Sequence, residues 1–375
     1  MNTTLLKRLL RLSGVSLIAW LSIIIPLWAS TEAPTFSAVA LDATAFDPTR
    51  GQPVKLTYQL AQPDKITVRV YDPDGGLAHT LLDAVEQPAG SHELLWDGRD
   101  EQQQPVPDEA YTFTLETASG AIYDPTTFSG GAVGDITNAQ FNNDGTVLYR
   151  LPAASRVLMR LGIHNGPLLK TLVDWKPRTA GTITESWDGY DVDHLIKLHA
   201  QKDFAALITT VALPELTVIA YGNTQESYRD YKLGRAKDHP QKPDRPRQQD
   251  PNVQLRPENL VPPAWARAPQ VRMSFPELGE TVEDAVPAIQ EAVAVRVDVD
   301  PTDRDRLLND QFEIIFFVDQ VFFAEAERGY LPLNWRWELQ QIPPGEHVLT
   351  VNISSFKGQV GVASRKVQVV QPTTP

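Results

Sequence analysis

The sequence contains no cysteine. That excludes disulfides, cysteine-ligated zinc, iron–sulfur clusters, thiol catalysis, covalent c-type haem and a lipid-modified cysteine. Positive charge is the scarcer sign, with 34 Lys+Arg against 47 Asp+Glu and a net charge of −13. A globally acidic chain is a poor non-specific nucleic-acid binder. Nucleophile and phosphate signatures are missing as well. No Gly-x-Ser-x-Gly elbow occurs, and Gly130-Gly131-Ala132-Val133-Gly134 is too short for a phosphate loop. Paired carboxylates for glycoside hydrolysis meet only in a fold, and nothing marks a pair here. The sequence implies no cofactor and no enzyme activity. What is present is 375 residues with 30 prolines and 22 glycines, too many for a helical bundle. The length suits two or three domains.

Lys7, Arg8 and Arg11 precede an apolar run over residues 12–28 that ends in Ala29-Ser30. A basic region, an apolar region and a small-residue exit read as a signal peptide over residues 1–29, cut after Ala29. The alternative is an uncleaved anchor, against which Pro26 would break a spanning helix near its end. Either reading puts the rest in the periplasm, on the outer surface or outside the cell. An exported chain without disulfides must then hold its domains together by packing alone.

An offset of 91 residues aligns positions 58–100 with 149–191 without a gap. Identities include Tyr58/Tyr149, Arg69/Arg160, Gly75/Gly166, Leu81/Leu172, Asp83/Asp174, Gly90/Gly181 and Asp100/Asp191. Trp96-Asp97-Gly98 and Trp187-Asp188-Gly189 align intact. Periodicity within each stretch is two: Val54, Leu56, Tyr58 and Leu60 alternate with polar residues, as do Val157, Met159, Leu161 and Ile163. Short alternating runs separated by turn residues predict half-buried antiparallel strands in a sandwich. The matching dipeptides Asp74-Gly75 and Asn165-Gly166 predict tight turns. Residues 193–204 are the one candidate helix in this part of the chain. After Asp191 the second stretch carries about fourteen extra residues, judged by strand pattern, before 216–220 can supply its last strand. Such an insertion belongs in a loop.

Residues 223–268 are rich in proline and positive charge, including Arg229, Lys232, Arg235, Lys237, Arg245 and Arg247. They read as an exposed, semi-extended linker whose cations could dock on acidic partners. Strand alternation resumes at 269–372 and spans the length of one immunoglobulin-like domain. The whole chain is therefore predicted to be all-β: a signal peptide, sandwiches at 34–122 and 123–222, a linker, and a third sandwich.

The run Phe46-Asp47-Pro48, Gly75, Thr80-Leu81, Ala89-Gly90, Trp96-Asp97-Gly98-Arg99-Asp100, Val106-Pro107 and Tyr111 resembles the FlgD/Vpr-type Ig-like domain. The resemblance covers residues 40–119 well and 147–221 less well, since the second stretch lacks the Pro-x-x-x-Tyr ending. It implies a small sandwich appended to exported proteins, with no catalytic residues. Flagellar hook-cap proteins leave through the flagellar channel, whereas this chain carries a Sec-type segment. The module is thus expected elsewhere in the envelope. Residues 270–370 resemble a generic bacterial Ig-like domain.

Three clusters invite a chemical reading. Asp298, Asp300, Asp303 and Asp305 could suggest a calcium loop, but the central glycine and closing glutamate are missing and Arg304 and Arg306 intervene. A solvated loop is the expectation. His194 and His199 stand five apart, the wrong spacing for a helical zinc pair. Trp335 and Trp337 share one face of a strand; exposed, they would stack on sugar rings, and buried, they are core. The expected role is a scaffold or adaptor binding envelope or extracellular proteins, with cell-surface polysaccharide binding as the alternative. Any membrane contact would be through the N-terminal segment.

Overall fold

Period-two alternation becomes strand throughout the computed structural model, which describes residues 35–238, 262–278 and 286–370. The predicted signal segment lies outside those residues. The first part contains β1 (Phe36–Leu41), β2 (Ala45–Phe46), β3 (Val54–Leu60), β4 (Asp64–Tyr71) and β5 (Leu77–Gln87). It continues with β6 (Gly90–Trp96), β7 (Ala110–Thr117) and β8 (Ile122–Tyr123). Three of these pair in the order β1-β3-β6, facing a second sheet that contains β7-β4-β5. Val54, Leu56, Tyr58 and Leu60 point into the layer between them, where each buried aliphatic side chain stabilises by roughly 1.5–3 kcal/mol. Trp96 lies among Phe46, Tyr111 and Phe113.

The second part comprises β9 (Val133–Asp135), β10 (Gln140–Phe141), β11 (Thr146–Leu151) and β12 (Ser155–Ile163). After them come β13 (Leu168–Arg178), β14 (Gly181–Ser186) and β15 (Phe204–Ala212). Its sheets run β10-β11-β14 and β13-β12-β15-β9. Local devices of the first part recur at the 91-residue offset. Register breaks at Ile66/Val68, Val68/Arg69 and Val70/Tyr71 reappear at Val157/Met159, Met159/Arg160 and Leu161/Gly162. Ala84 and Trp175 both take positive φ, at 50° and 49°. Each signature indole donates to the carbonyl three residues on, Trp96 to Arg99 and Trp187 to Tyr190.

Residues 216–220 were expected to close the second sandwich. Instead β16 (Thr217–Ala220) pairs with β7 and β2 and extends the first, while β15 lies beside β12. The nine-residue β15 supplies the long pairing with β12 that four residues cannot. Residues 193–204 form no α-helix, only a 3-10 turn at Leu198–Ala200. Asp191 accepts the Ile196 amide at 2.7 Å, and this bend drops Ile196 and Leu198 into the core without a helical stripe.

The expected linker carries a helix, α1 (Tyr228–Asp238). The third part holds β17 (Val271–Ser274), β18 (Ala288–Ile289), β19 (Val293–Val299), α2 (Pro301–Asp310) and β20 (Phe312–Val318). It ends with β21 (Val321–Ala326), β22 (Leu333–Trp337), β23 (Gly345–Ser355) and β24 (Val360–Val369). Sheets β17-β19-β22 and β18-β24-β23-β20-β21 enclose its core. One device is shared with the first part. Gly90 and Gly345 open strands at positive φ, and the histidine two residues on, His92 or His347, bonds the carbonyl of Pro88 or Pro343.

Candidate functional site

The strongest concentration of buried charge lies between the sandwiches. The Asp72-Pro73-Asp74-Gly75 turn starts it, because Asp72 Oδ1 accepts the amides of Asp74 and Gly76 and leaves Oδ2 free to point outward. Lys232 of α1 fills that position, with Nζ 2.8 Å from Oδ2 and both side chains buried. Tyr228, one helical turn earlier, donates its hydroxyl to Asp74 Oδ2 at 2.9 Å, and the Ala264 amide donates to Asp74 Oδ1 at 2.8 Å. Burial pushes the Asp72 carboxyl up and the Lys232 ammonium pulls it back. Burial and the charges of Asp72 and Asp74 push the Tyr228 hydroxyl well up, which keeps it a donor.

α2 anchors the other side of α1. Asp300 caps the helix through the Thr302 amide, and Pro301 occupies the first turn, where it lacks only an N–H the helix does not use. Asp303 is fully buried at 0% exposure. Its oxygens receive Arg229 at 3.2 Å, Arg267 at 3.4 Å and the Gln270 amide at 3.2 Å, with Arg306 at 3.8 Å. The Arg267 carbonyl in turn accepts Arg306 and Gln359. Thus α1 and the 262–268 segment are tied to the first and third sandwiches at once.

The sandwiches also touch directly. Arg156 reaches Glu109 at 2.8 Å with both side chains nearly dry. The Asn352 side-chain amide imitates a strand, accepting from Leu168 N and donating to Leu168 O, both at 2.9 Å. Asp193, on the inserted loop of the second sandwich, accepts the Ser364 amide at 2.6 Å. Arg160 donates to the Gly358 carbonyl.

Arg229 and Lys232 belong to this joint, so they are not exposed linker cations. The signal was present: Tyr228, Tyr231 and Lys232 follow the i, i+3, i+4 spacing of one helix face. Arg235 and Lys237 belong to α1, while Arg245 and Arg247 lie outside the described residues. The acidic group is not a solvated loop. Asp303 is buried, Asp300 is a cap, and Asp298 receives Arg304 at 2.7 and 2.9 Å. Among the described residues no group of three or more His, Asp or Glu side chains could hold a metal ion. Trp337 is at 0% exposure, and Trp335 stacks on Phe316 with centroids 4.0 Å apart. Trp337 is therefore core, while Trp335 is half-buried with one stacking contact taken up by Phe316.

Each of these carboxylates meets an ammonium, a guanidinium or a backbone N–H. The geometry makes a joint between modules. Among the described residues, no helix is long and apolar enough to cross a membrane.

Comparison with known proteins gives one family match, the FlgD Ig-like domain, over residues 43–121. No curated protein matches. Among solved structures, the FlgD of P. aeruginosa is 26% identical, covering 23% of this chain and 67% of that one, with a TM-score of 0.20. An endo-β-1,4-mannanase from Thermotoga petrophila is 17% identical over 28% of this chain, with a TM-score of 0.20. The chain spans only 20% of that enzyme. A bacterial ice-binding adhesin matches over 91% of this chain and 99% of its own at 12% identity and a TM-score of 0.19. The chain is an all-β protein of the Ig-like sandwich type, and its residues 43–121 are similar to the FlgD Ig-like domain.

Proposed function

We propose that this protein is an exported, non-enzymatic scaffold or adaptor of the cell envelope or of an extracellular assembly. In this reading the second sandwich is a copy of the first, the third is a generic Ig-like module, and the N-terminal segment directs export. Partners are other envelope or extracellular proteins. The supporting observation is the joint itself. Lys232 with Asp72 and Arg229 with Asp303 join α1 to two different sandwiches through buried pairs. Buried ion pairs at a junction fix geometry more than they add stability. A fixed spacing between binding modules serves an adaptor, because it sets how far apart its partners are held. Arg235, Lys237, Arg245 and Arg247 remain the cations proposed for partner contact.

Affinity capture of the full chain from an envelope extract tests this reading. Specific partners should be retained, and replacing those four cations by glutamine should reduce capture at least several-fold. Capture unchanged by the replacement would remove these residues from the interface. A full chain that retains no partner would remove the adaptor reading.

A further inference from the structure

Lys170 of β13 arches over the end of the second sandwich. Its Nζ lies 3.4 Å from Asp188 Oδ1, 3.3 Å from the Tyr190 carbonyl and 3.4 Å from the Asp191 carbonyl. An ammonium has three donors, and here three oxygens surround it. The side chain is only 18% exposed, so the cation plugs the end of the sandwich.

Ninety-one residues earlier the same frame recurs. Arg99 N donates to Asp97 Oδ1 at 3.1 Å, as Tyr190 N donates to Asp188 Oδ1 at 3.0 Å. The Arg99 carbonyl receives the Trp96 indole, as that of Tyr190 receives Trp187. Gln103 and His194 both close the turn at positive φ, 62° and 57°. The plug is different. Position 79 is histidine, which has no ammonium, and its Nδ1 is buried without a hydrogen-bond partner. An open cleft of about 340 Å³ lies there, lined by His79, Leu81, Leu95, Trp96 and Asp97 among others. Leu95 is 62% exposed, and its counterpart in the second sandwich is Ser186. The Arg99 guanidinium stands at the rim of the cleft: its Nη1 donates to the Gln103 carbonyl at 2.7 Å, while its Nε meets the Asp97 carboxylate only at 3.5 Å, with both side chains near half exposure, a contact worth little in water.

We propose that this cleft binds an alkylammonium group, the side chain of a lysine presented by a partner protein. The incoming ammonium takes the place that Lys170 Nζ holds in the second sandwich, against the Asp97 carboxylate and the Arg99 carbonyl. Leu95 and Leu81 cover its methylene stem, as apolar surface covers lysine stems elsewhere. The site extends the adaptor reading without depending on it, because a small amine is a sufficient probe.

The test is titration of the full chain with N-acetyl-lysine methylamide, read at the indole N–H resonances of Trp96 and Trp187. Trp96 should shift and Trp187 should stay. The norleucine analogue, which lacks the amine, should bind at least tenfold more weakly. His79→Lys should supply an internal plug and weaken the probe at least tenfold, and Asp97→Asn should do the same. Lys170→Ala should make Trp187 respond as well. A Trp96 resonance indifferent to the probe, or equal response to the norleucine analogue, overturns the proposal. So does a folded His79→Lys variant with unchanged affinity.

Discussion

Lys232 and Asp72, 160 positions apart, close a buried ion pair of 2.8 Å between α1 and the turn that joins β4 to β5. Removing the lysine leaves a carboxylate dry and unmatched, which costs about 3–5 kcal/mol. Lys232→Ala and Lys232→Met should therefore both lower the urea midpoint. Asp72→Asn combined with Lys232→Met should recover most of the loss, since neither charge is then stranded. In Lys232→Met only the backbone amides still oppose burial at Asp72, and its carboxyl rises further. A raised acid favours the folded state when protonated, so the variant should regain stability as pH falls into the carboxylate range. A double variant as unstable as the single ones would show that packing, not charge, sets the cost.

His347 faces two acceptors, Asp319 Oδ2 at 2.6 Å and the Pro343 carbonyl at 2.8 Å. Neutral imidazole has one N–H and cannot serve both. Burial pulls the ring down, but the bonds to Asp319 and Pro343 and the Asp319 charge outweigh it and hold its pKa above 6.5. The charged form is thus favoured by folding. Its contribution is complete below the unfolded value and fades as pH rises through the folded one. Urea midpoints measured between about pH 5 and 9 should fall on the alkaline side. His347→Gln should flatten that slope, and an unchanged slope would assign the pH dependence to another group.

Asn352 replaces a strand partner for Leu168. Asn352→Ala orphans the Leu168 N–H and C=O together, costing about 1–3 kcal/mol. Hydrogen exchange at the Leu168 amide should accelerate at least tenfold, while amides within the first sandwich stay protected. Unaltered exchange at Leu168 would mean that solvent, not Asn352, satisfies it.

Trp337 and Trp335 differ in depth. Trp337→Ala should cost about 3–5 kcal/mol as a large core cavity. Trp335→Ala should also destabilise, because the ring stacks on Phe316 and lies near-parallel to Trp337. Retention of the protein in polysaccharide-containing native gels should not depend on Trp335. A stable Trp335→Ala variant that loses such retention would revive the sugar-binding reading.

Much of the fold was legible because strand alternation is local. Val54 to Leu60 and Val293 to Val299 carry their burial in their spacing. The tryptophan signature was legible too, since Trp-Asp-Gly builds its turn from neighbouring residues. The charged helices were legible only in part, α1 through the spacing of Tyr228, Tyr231 and Lys232. α1 has few apolar residues, and its partners Asp72, Asp74 and Asp303 are connected to it by no local pattern. Asp300-Pro301 is a helix start that an acidic count hides. β16 was misplaced for the same reason: a four-residue strand fits either sandwich until pairing partners compete.

Sequence alone determined the strand alternation, the 91-residue repetition and the positions of the turns, because each is written in the spacing of residues along the chain. Only the tertiary structure decided which acids are buried, which cations answer them and which sandwich receives β16. Those outcomes depend on groups far apart in the chain sharing one dry space, where an unpaired charge costs more than its local sequence can reveal.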